Sequence, residues 1–290
     1  MIALIFAILT SSFIFVLFKL FPKYSVNTFQ AIVFNYVTAC ICGFSLFGDQ
    51  WKMSFIEVGH WPYFAILCGF LFIGLFYLIG ISSQKNGVAI TSVAVKMSMA
   101  LSMLLIIFLY RESVSFLKIV GIIAAFTGVF LMAFQKEVKS NAKSYIWMLV
   151  VLFLGCAILD FILNYVQKYE LSQLPCSLFS AIGFGVSGVI GLIILMVQFI
   201  RYSVKIEFKN IIAGILLGIP NFFSIYLLLE SYSSTSWNDS TVLAIMNVSV
   251  VMISALIGFS AFKESASKQK IAGLVISILA IVILYIASNS

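Results

Sequence analysis

The chain has 290 residues, of which 63% are apolar and 9% charged, with a mean hydropathy of +1.16. A soluble domain carries about 25% charged and about 45–50% apolar residues, so a water-soluble globule is excluded and the solvent is a bilayer. The net charge of +7 does not point to nucleic acid, because the basic residues stand between apolar runs, where loop charge sets orientation in a membrane.

Ten apolar runs follow one another at 2–21, 28–48, 62–82, 88–109, 115–134, 145–167, 175–200, 211–230, 239–261 and 268–287. Each is near the ~20 residues a helix needs to cross ~30 Å of hydrocarbon. Lipid offers no partner to backbone N–H and C=O groups, so runs of this length are expected as helices. The fold class is therefore an all-α integral membrane protein with ten transmembrane helices. The first run lacks a basic n-region and a small-residue cleavage site, and Lys19 and Pro22 follow it, so it is expected to stay as a span. The five cysteines (Cys40, Cys42, Cys68, Cys156 and Cys176) fall in or beside apolar runs with no disulfide or metal-ligand spacing, and read as small buried hydrophobes.

The longest polar stretch, 135–144 (QKEVKSNAKS), divides the chain into residues 1–134 and 145–290, with five runs in each. The two parts repeat. Glu112, Ser113, Ser115, Lys118, Ile119 and Gly121 are matched by Glu264, Ser265, Ser267, Lys270, Ile271 and Gly273, always 152 positions on. Earlier matches, Lys23-Tyr24 with Lys168-Tyr169 and Gly69 and Tyr77 with Gly218 and Tyr226, keep the same order at slightly smaller offsets. Five spans are an odd number, so the second copy enters the membrane from the opposite side. That arrangement is a pair of inverted five-helix repeats, the plan on which many secondary transporters place a midplane site. Lys and Arg number 12 in the loops on the side reached after the first span and 4 on the other, which predicts both termini outside.

The repeated pattern resembles the EamA-type branch of the drug/metabolite transporter superfamily. The residues that carry the resemblance are a Gly- and aromatic-rich third helix (Cys68-Gly-Phe-Leu-Phe-Ile-Gly74, then Phe76-Tyr77), fourth and ninth helices ending at Arg111-Glu112 and Lys263-Glu264, and fifth and tenth helices beginning near Gly121 and Gly273. The family commonly has a proline early in the fourth and ninth helices. Here Lys96–Ser98 and Val248–Ser249 stand in those places. The resemblance implies a transporter that works without cofactor or nucleotide in a bacterial cytoplasmic membrane, as a monomer or homodimer.

Seven residues are candidates for substrate binding. Lys96 lies about two turns inside the fourth run, where a cation costs roughly 2.5–3.5 kcal/mol and ordinarily faces a cavity or a partner. It reads as a fixed charge for a substrate carboxylate or phosphate, or as the ion-pair partner of Asp160. Asp160 heads a stripe with Asn164 and Gln167 at spacings of four and three, so the three share a helix face. Asp160 is a proton or cation site, or the counter-charge of Lys96; protons are the candidate coupling ion. Asn221, after Pro220, and Asn247, within one position of the equivalent of Lys96, aim amides at a shared centre, while Asn35 reads as an interhelical hydrogen-bonding group. Tyr77 and Tyr226 are equivalent aromatics that would wall the site. Gly183-Phe-Gly185-Val-Ser-Gly188 fits the dinucleotide fingerprint but has no strand before it, so close helix packing is the better reading, as it is for Gly121/Ala125 and Gly273/Ser277. Glu112 and Glu264 are expected to act as caps and anchors at the helix ends.

The expectation is a secondary transporter, in the export direction, for small amino-acid-like or other anionic or zwitterionic metabolites, working by alternating access. The alternatives are a cationic drug exporter using Asp160 and a lipid-headgroup flippase. An enzyme is disfavoured, since the one histidine, His60, lies beside Trp61-Pro62 in a loop and no paired-His metal helix is present.

Overall fold

The computed structural model describes residues 2–51, 59–85, 88–112, 114–133, 146–171, 175–203, 205–261 and 268–289. Ten α-helices stand where ten runs were expected: α1 (Ile2–Leu20), α2 (Thr28–Phe47), α3 (Trp61–Lys85), α4 (Val88–Tyr110), α5 (Phe116–Ala133), α6 (Ile146–Tyr169), α7 (Cys176–Tyr202), α8 (Phe208–Ser234), α9 (Asp239–Ala261) and α10 (Lys268–Asn289). Among the described residues no strand occurs. Within α2, α3, α6, α7 and α8 lie apolar stretches long enough to cross a membrane, and the other five helices carry shorter apolar stretches of 10–17 residues.

Local signals explain the boundaries. Asn27 caps α2 by accepting a hydrogen bond from the Gln30 N–H at 3.1 Å. Arg111 closes α4 in the left-handed region (φ 50°), so that the Glu112 N–H reaches back to the Ile107 carbonyl at 3.2 Å, the six-to-one bond of a Schellman turn. The largest departure is α8, which runs from Phe208 to Ser234 rather than 211–230 and continues through Pro220. A proline forfeits one helix hydrogen bond, and packing on either side of Pro220 holds the helix together across the gap.

The chain packs as two compact units, each drawing on both halves of the sequence: Met1–Tyr77 with Ile162–Ser234, and Leu78–Phe161 with Thr235–Ser290. In the first unit α2 is the common partner. It runs antiparallel to α7, with Cys40 against Gly185, Val37 against Gly188 and Val33 against Gly191. It runs parallel to α8, since Asn27, Asn35 and Phe47 meet Asn210, Gly214 or Gly218, and Tyr226 in the same order. Helix α3 runs parallel to α7, where the Ser187 hydroxyl donates to the Gly69 carbonyl at 2.9 Å. The fingerprint-like glycines of α7 are thus packing residues. With no hydrophobic drive between helices in lipid, such backbone proximity supplies the dispersion contacts that hold them.

A polar tie joins the amino ends of α2 and α8. The Asn27 N–H donates to Asn210 Oδ1 at 2.9 Å, Asn210 Nδ2 donates to Gln30 Oε1 at 2.7 Å, and Gln30 Nε2 donates to the Lys205 carbonyl at 3.0 Å. Gln30 and Asn210 are buried. Asn210→Ala removes an acceptor and a donor at once, and is expected to cost about 1–3 kcal/mol for the groups left unpaired. An unfolding midpoint in detergent equal to that of the parent protein would count against this tie.

In the second unit α5 and α10 run antiparallel, Gly121 against Leu284 and Gly128 against Ser277, so these small-residue stripes also pack as expected. Lys118, counted with the loop charges in the sequence, lies in the first turn of α5 and is 3% exposed. Its Nζ is 2.8 Å from Glu112 Oε2, and the same carboxylate accepts hydrogen bonds from the Ser240 hydroxyl and, at 3.4 Å, the Ser240 N–H. Glu112 is therefore a cap, but of α9, across the second unit. Glu264 lies outside the described residues.

Candidate functional site

The seven candidate residues divide between the units. Asn164, Asn221, Tyr77 and Tyr226 belong to the first, Lys96, Asp160 and Asn247 to the second.

In the first unit, the stripe on α6 behaves as its spacing requires. Asp160 and Gln167, the first of them counted with the second unit, are half-buried, and Asn164 between them is fully buried. Among the described residues neither the oxygen nor the nitrogen of the Asn164 amide has a hydrogen-bond partner. Asn221 is 5% exposed; its backbone carbonyl accepts from the Ser224 hydroxyl at 2.8 Å, and its side-chain nitrogen has no partner. Asn35 differs from expectation. Its amide nitrogen points to the Ile32 carbonyl of its own helix at 3.4 Å and its oxygen is unpartnered, so among the described residues it makes no interhelical hydrogen bond. The close approach of α8 is made by the Asn35 backbone instead. Buried amides are ordinarily satisfied, so Asn35, Asn164 and Asn221 stand out among the described residues of the first unit.

The two tyrosines differ. Tyr77 is 48% exposed and meets Phe29 edge-on at 5.4 Å. Tyr226 is half-buried, stacked on Phe222 at 5.9 Å and tilted against Phe47 at 5.0 Å. Sequence reasoning missed Tyr36, fully buried, stacked on Phe184 at 5.8 Å with its hydroxyl unpartnered. It also missed Glu230, half-buried one turn beyond Tyr226. The spacing Phe222, Tyr226, Glu230, four apart each time, was the available signal.

In the second unit Lys96 lies inside α4, and its side chain is outside the described ones. On that helix Met103 is fully buried while Leu104 is 61% exposed. Asn247 on α9 is half-buried and donates to the Leu243 carbonyl of its own helix at 3.0 Å, leaving its oxygen for another partner. Among the described residues no group of three His, Cys, Asp or Glu side chains gathers to hold a metal, and none of the five cysteines is in a disulfide.

Comparison with known proteins agrees with this architecture. The chain is 29% identical to an uncharacterized protein of Haemophilus influenzae over 289 residues, covering 97% of each. It also superposes on a protein of known crystal structure with a TM-score of 0.76, covering 99% of this chain and 96% of the other at 13% identity, a likeness of fold. Residues 1–134 match the family model described as the EamA-like transporter family. The apolar helices make the chain an integral membrane protein, and its residues 1–134 are similar to the EamA-like transporters, a family of the drug/metabolite transporter superfamily.

Proposed function

We propose that the chain is a secondary transporter that moves small amino-acid-like or other anionic or zwitterionic metabolites by alternating access. The observation that carries this reading is Asn164, an amide wholly enclosed in a membrane helix with neither polar atom satisfied. An unsatisfied polar group in an apolar interior costs several kcal/mol, and a polar substrate or its water is the partner that offsets it.

Helix directions support the inverted-repeat plan. The second and seventh helices occupy equivalent places in the two halves and run antiparallel; so do the fifth and tenth. The parallel pair α2–α8 has as its counterpart the parallel pair α7–α3. Such an exchange is what an inverted-topology repeat would produce, the plan on which one repeat rocks against the other in many secondary transporters.

In this reading Lys96 holds the substrate anion, and Asp160 is its counter-charge when the site is empty and the proton carrier when it is filled. In the first unit this reading gives the amides of Asn164 and Asn221 to polar groups of the substrate and Tyr77 and Tyr226 to the wall of the path; in the second it gives Asn247 the same part as the other amides. A fixed lysine repels purely cationic drugs, which favours metabolites bearing a carboxylate. A bacterial cytoplasmic membrane goes with this reading, and the loop charges favour both termini outside.

A thermal-shift screen of amino acids, nucleosides and cationic dyes on the detergent-purified protein is expected to give stabilisation by a carboxylate-bearing metabolite, lost in Lys96→Ala. At a ligand concentration 100 times its Kd the stabilisation is about 2.7 kcal/mol. Uptake of that metabolite into proteoliposomes that persists in Lys96→Ala combined with Asp160→Asn would overturn the assignment of these residues.

A further inference from the structure

The end of the first unit where α2 and α8 finish carries a constellation of which transport, as read above, uses only Tyr226. Helix α8 presents Phe222, Tyr226 and Glu230 on one face, one turn apart. Phe222 is fully buried and lies parallel to Tyr226, with an interplanar angle of 6°, so it fixes that ring. Phe47, the last residue of α2, meets both rings, at 6.0 Å and 5.0 Å from their centroids. Phe47 and Tyr226 are only half-buried, so the aromatic surface is not closed off. The Glu230 side chain lies within electrostatic range of Tyr226 and Cys176 and, among the described residues, has no ion pair.

A half-buried carboxylate in a membrane helix requires a counter-charge, and none is built in among the described residues. Three features of the place favour a cation. The ring faces carry the negative part of the aromatic quadrupole. The carboxyl end of α2 carries the negative end of that helix dipole. Asp49, exposed in the turn that follows α2, adds a second negative charge nearby.

We propose that Phe47, Tyr226 and Glu230 form a binding site for an alkyl- or arylammonium group, with Phe222 as its backing. The carboxylate pairs with the ammonium, and the rings take the apolar part beside it. Glu230 lies four residues, about 6 Å of helix rise, from the end of α8, so a free amine and the ammonium of a phosphatidylethanolamine headgroup are both candidates for the same site. The site does not rest on the transport reading, and its test reads binding rather than flux.

Binding of phenethylamine to the full-length protein in phosphatidylcholine nanodiscs, followed by calorimetry, is the direct experiment. 2-Phenylethanol and 3-phenylpropionate serve as the neutral and anionic counterparts. Saturable binding of the amine alone is expected, weakened about tenfold or more by Glu230→Gln and by Tyr226→Leu and retained in Tyr226→Phe, which keeps the ring. Equal binding of the alcohol, or an unchanged affinity in Glu230→Gln, would overturn the site. Should Glu230→Gln fail to fold, the contrast between Tyr226→Leu and Tyr226→Phe decides the matter, equal affinities overturning it. Repeating the titration in phosphatidylethanolamine nanodiscs separates the sources: competition by the lipid identifies the headgroup as the resident ligand, and an unchanged affinity identifies the free amine.

Discussion

Glu112→Ala is expected to lower the unfolding free energy by about 3–5 kcal/mol, the cost of leaving one member of a buried ion pair without its partner. The side chains of Lys118 and Glu112 are 4% and 8% exposed, so water cannot take over the role of the lost carboxylate. The same carboxylate holds the Ser240 hydroxyl and N–H in the first turn of α9, and the loss of a cap adds about 1 kcal/mol. The double replacement Glu112→Leu with Lys118→Met separates the two effects. It removes the orphaned charge and retains only the capping loss, so its unfolding midpoint in detergent should lie between those of the parent and Glu112→Ala. A Glu112→Ala protein that melts with the parent would show that the pair does not hold the second unit together.

Gly218→Ala is the second substitution with a large expected effect. A Cβ there would lie 2.6 Å from the Asn35 carbonyl oxygen and 2.6 Å from Thr38 Cβ, both on α2. One neighbour is backbone and the other a branched β-carbon, so neither moves without shifting a helix. Overpacking of this kind costs typically about 1–3 kcal/mol. Gly74→Ala is the internal control, because a Cβ at Gly74 meets nothing within 4 Å. There the substitution relieves the poor helix propensity of glycine, worth up to about 1 kcal/mol. The two variants should therefore shift the midpoint in opposite directions. A shift of the same sign in both would mean that the α2–α8 approach does not limit stability.

The helices were legible because membrane thickness sets their length and lipid forbids any other backbone form, which is why the ten expected runs and the ten helices agree to within a few residues. The faces they bury were not. In water a helix shows its core side as an apolar stripe, but in lipid the outer side is apolar too, so Met103 and the exposed Leu104 look alike in sequence. Small residues gave the best guide. Gly121/Ala125 and Gly273/Ser277 marked α5 and α10 as closely packed helices, but neither those stripes nor Gly214 and Gly218 name the partner.

The candidate site was legible in part for the same reason. Asn164 was found because an amide is conspicuous among leucines and its stripe with Asp160 and Gln167 repeats at helical spacing. Glu230 was missed because it stood at the expected end of the eighth run, and α8 continues one turn further. Lys118 passed for a loop charge because what buries it, Glu112 and the start of α9, is set by the tertiary fold and by a residue 128 positions from Glu112.

The interleaving of the two units has a consequence for biogenesis. Residues 1–77 leave the ribosome and enter the bilayer well before residues 162–234, with which they pack. During that interval α2 faces lipid with the surfaces it later gives to α7 and α8, and the amides of Gln30 and Asn35 are exposed with it. The first unit therefore cannot mature during synthesis of the first half, and assembly waits on the insertion of helices made last but two. An arrest of translation in the polar stretch 135–144 would leave a half-protein in the membrane with neither unit complete, in the form that membrane quality-control proteases recognise.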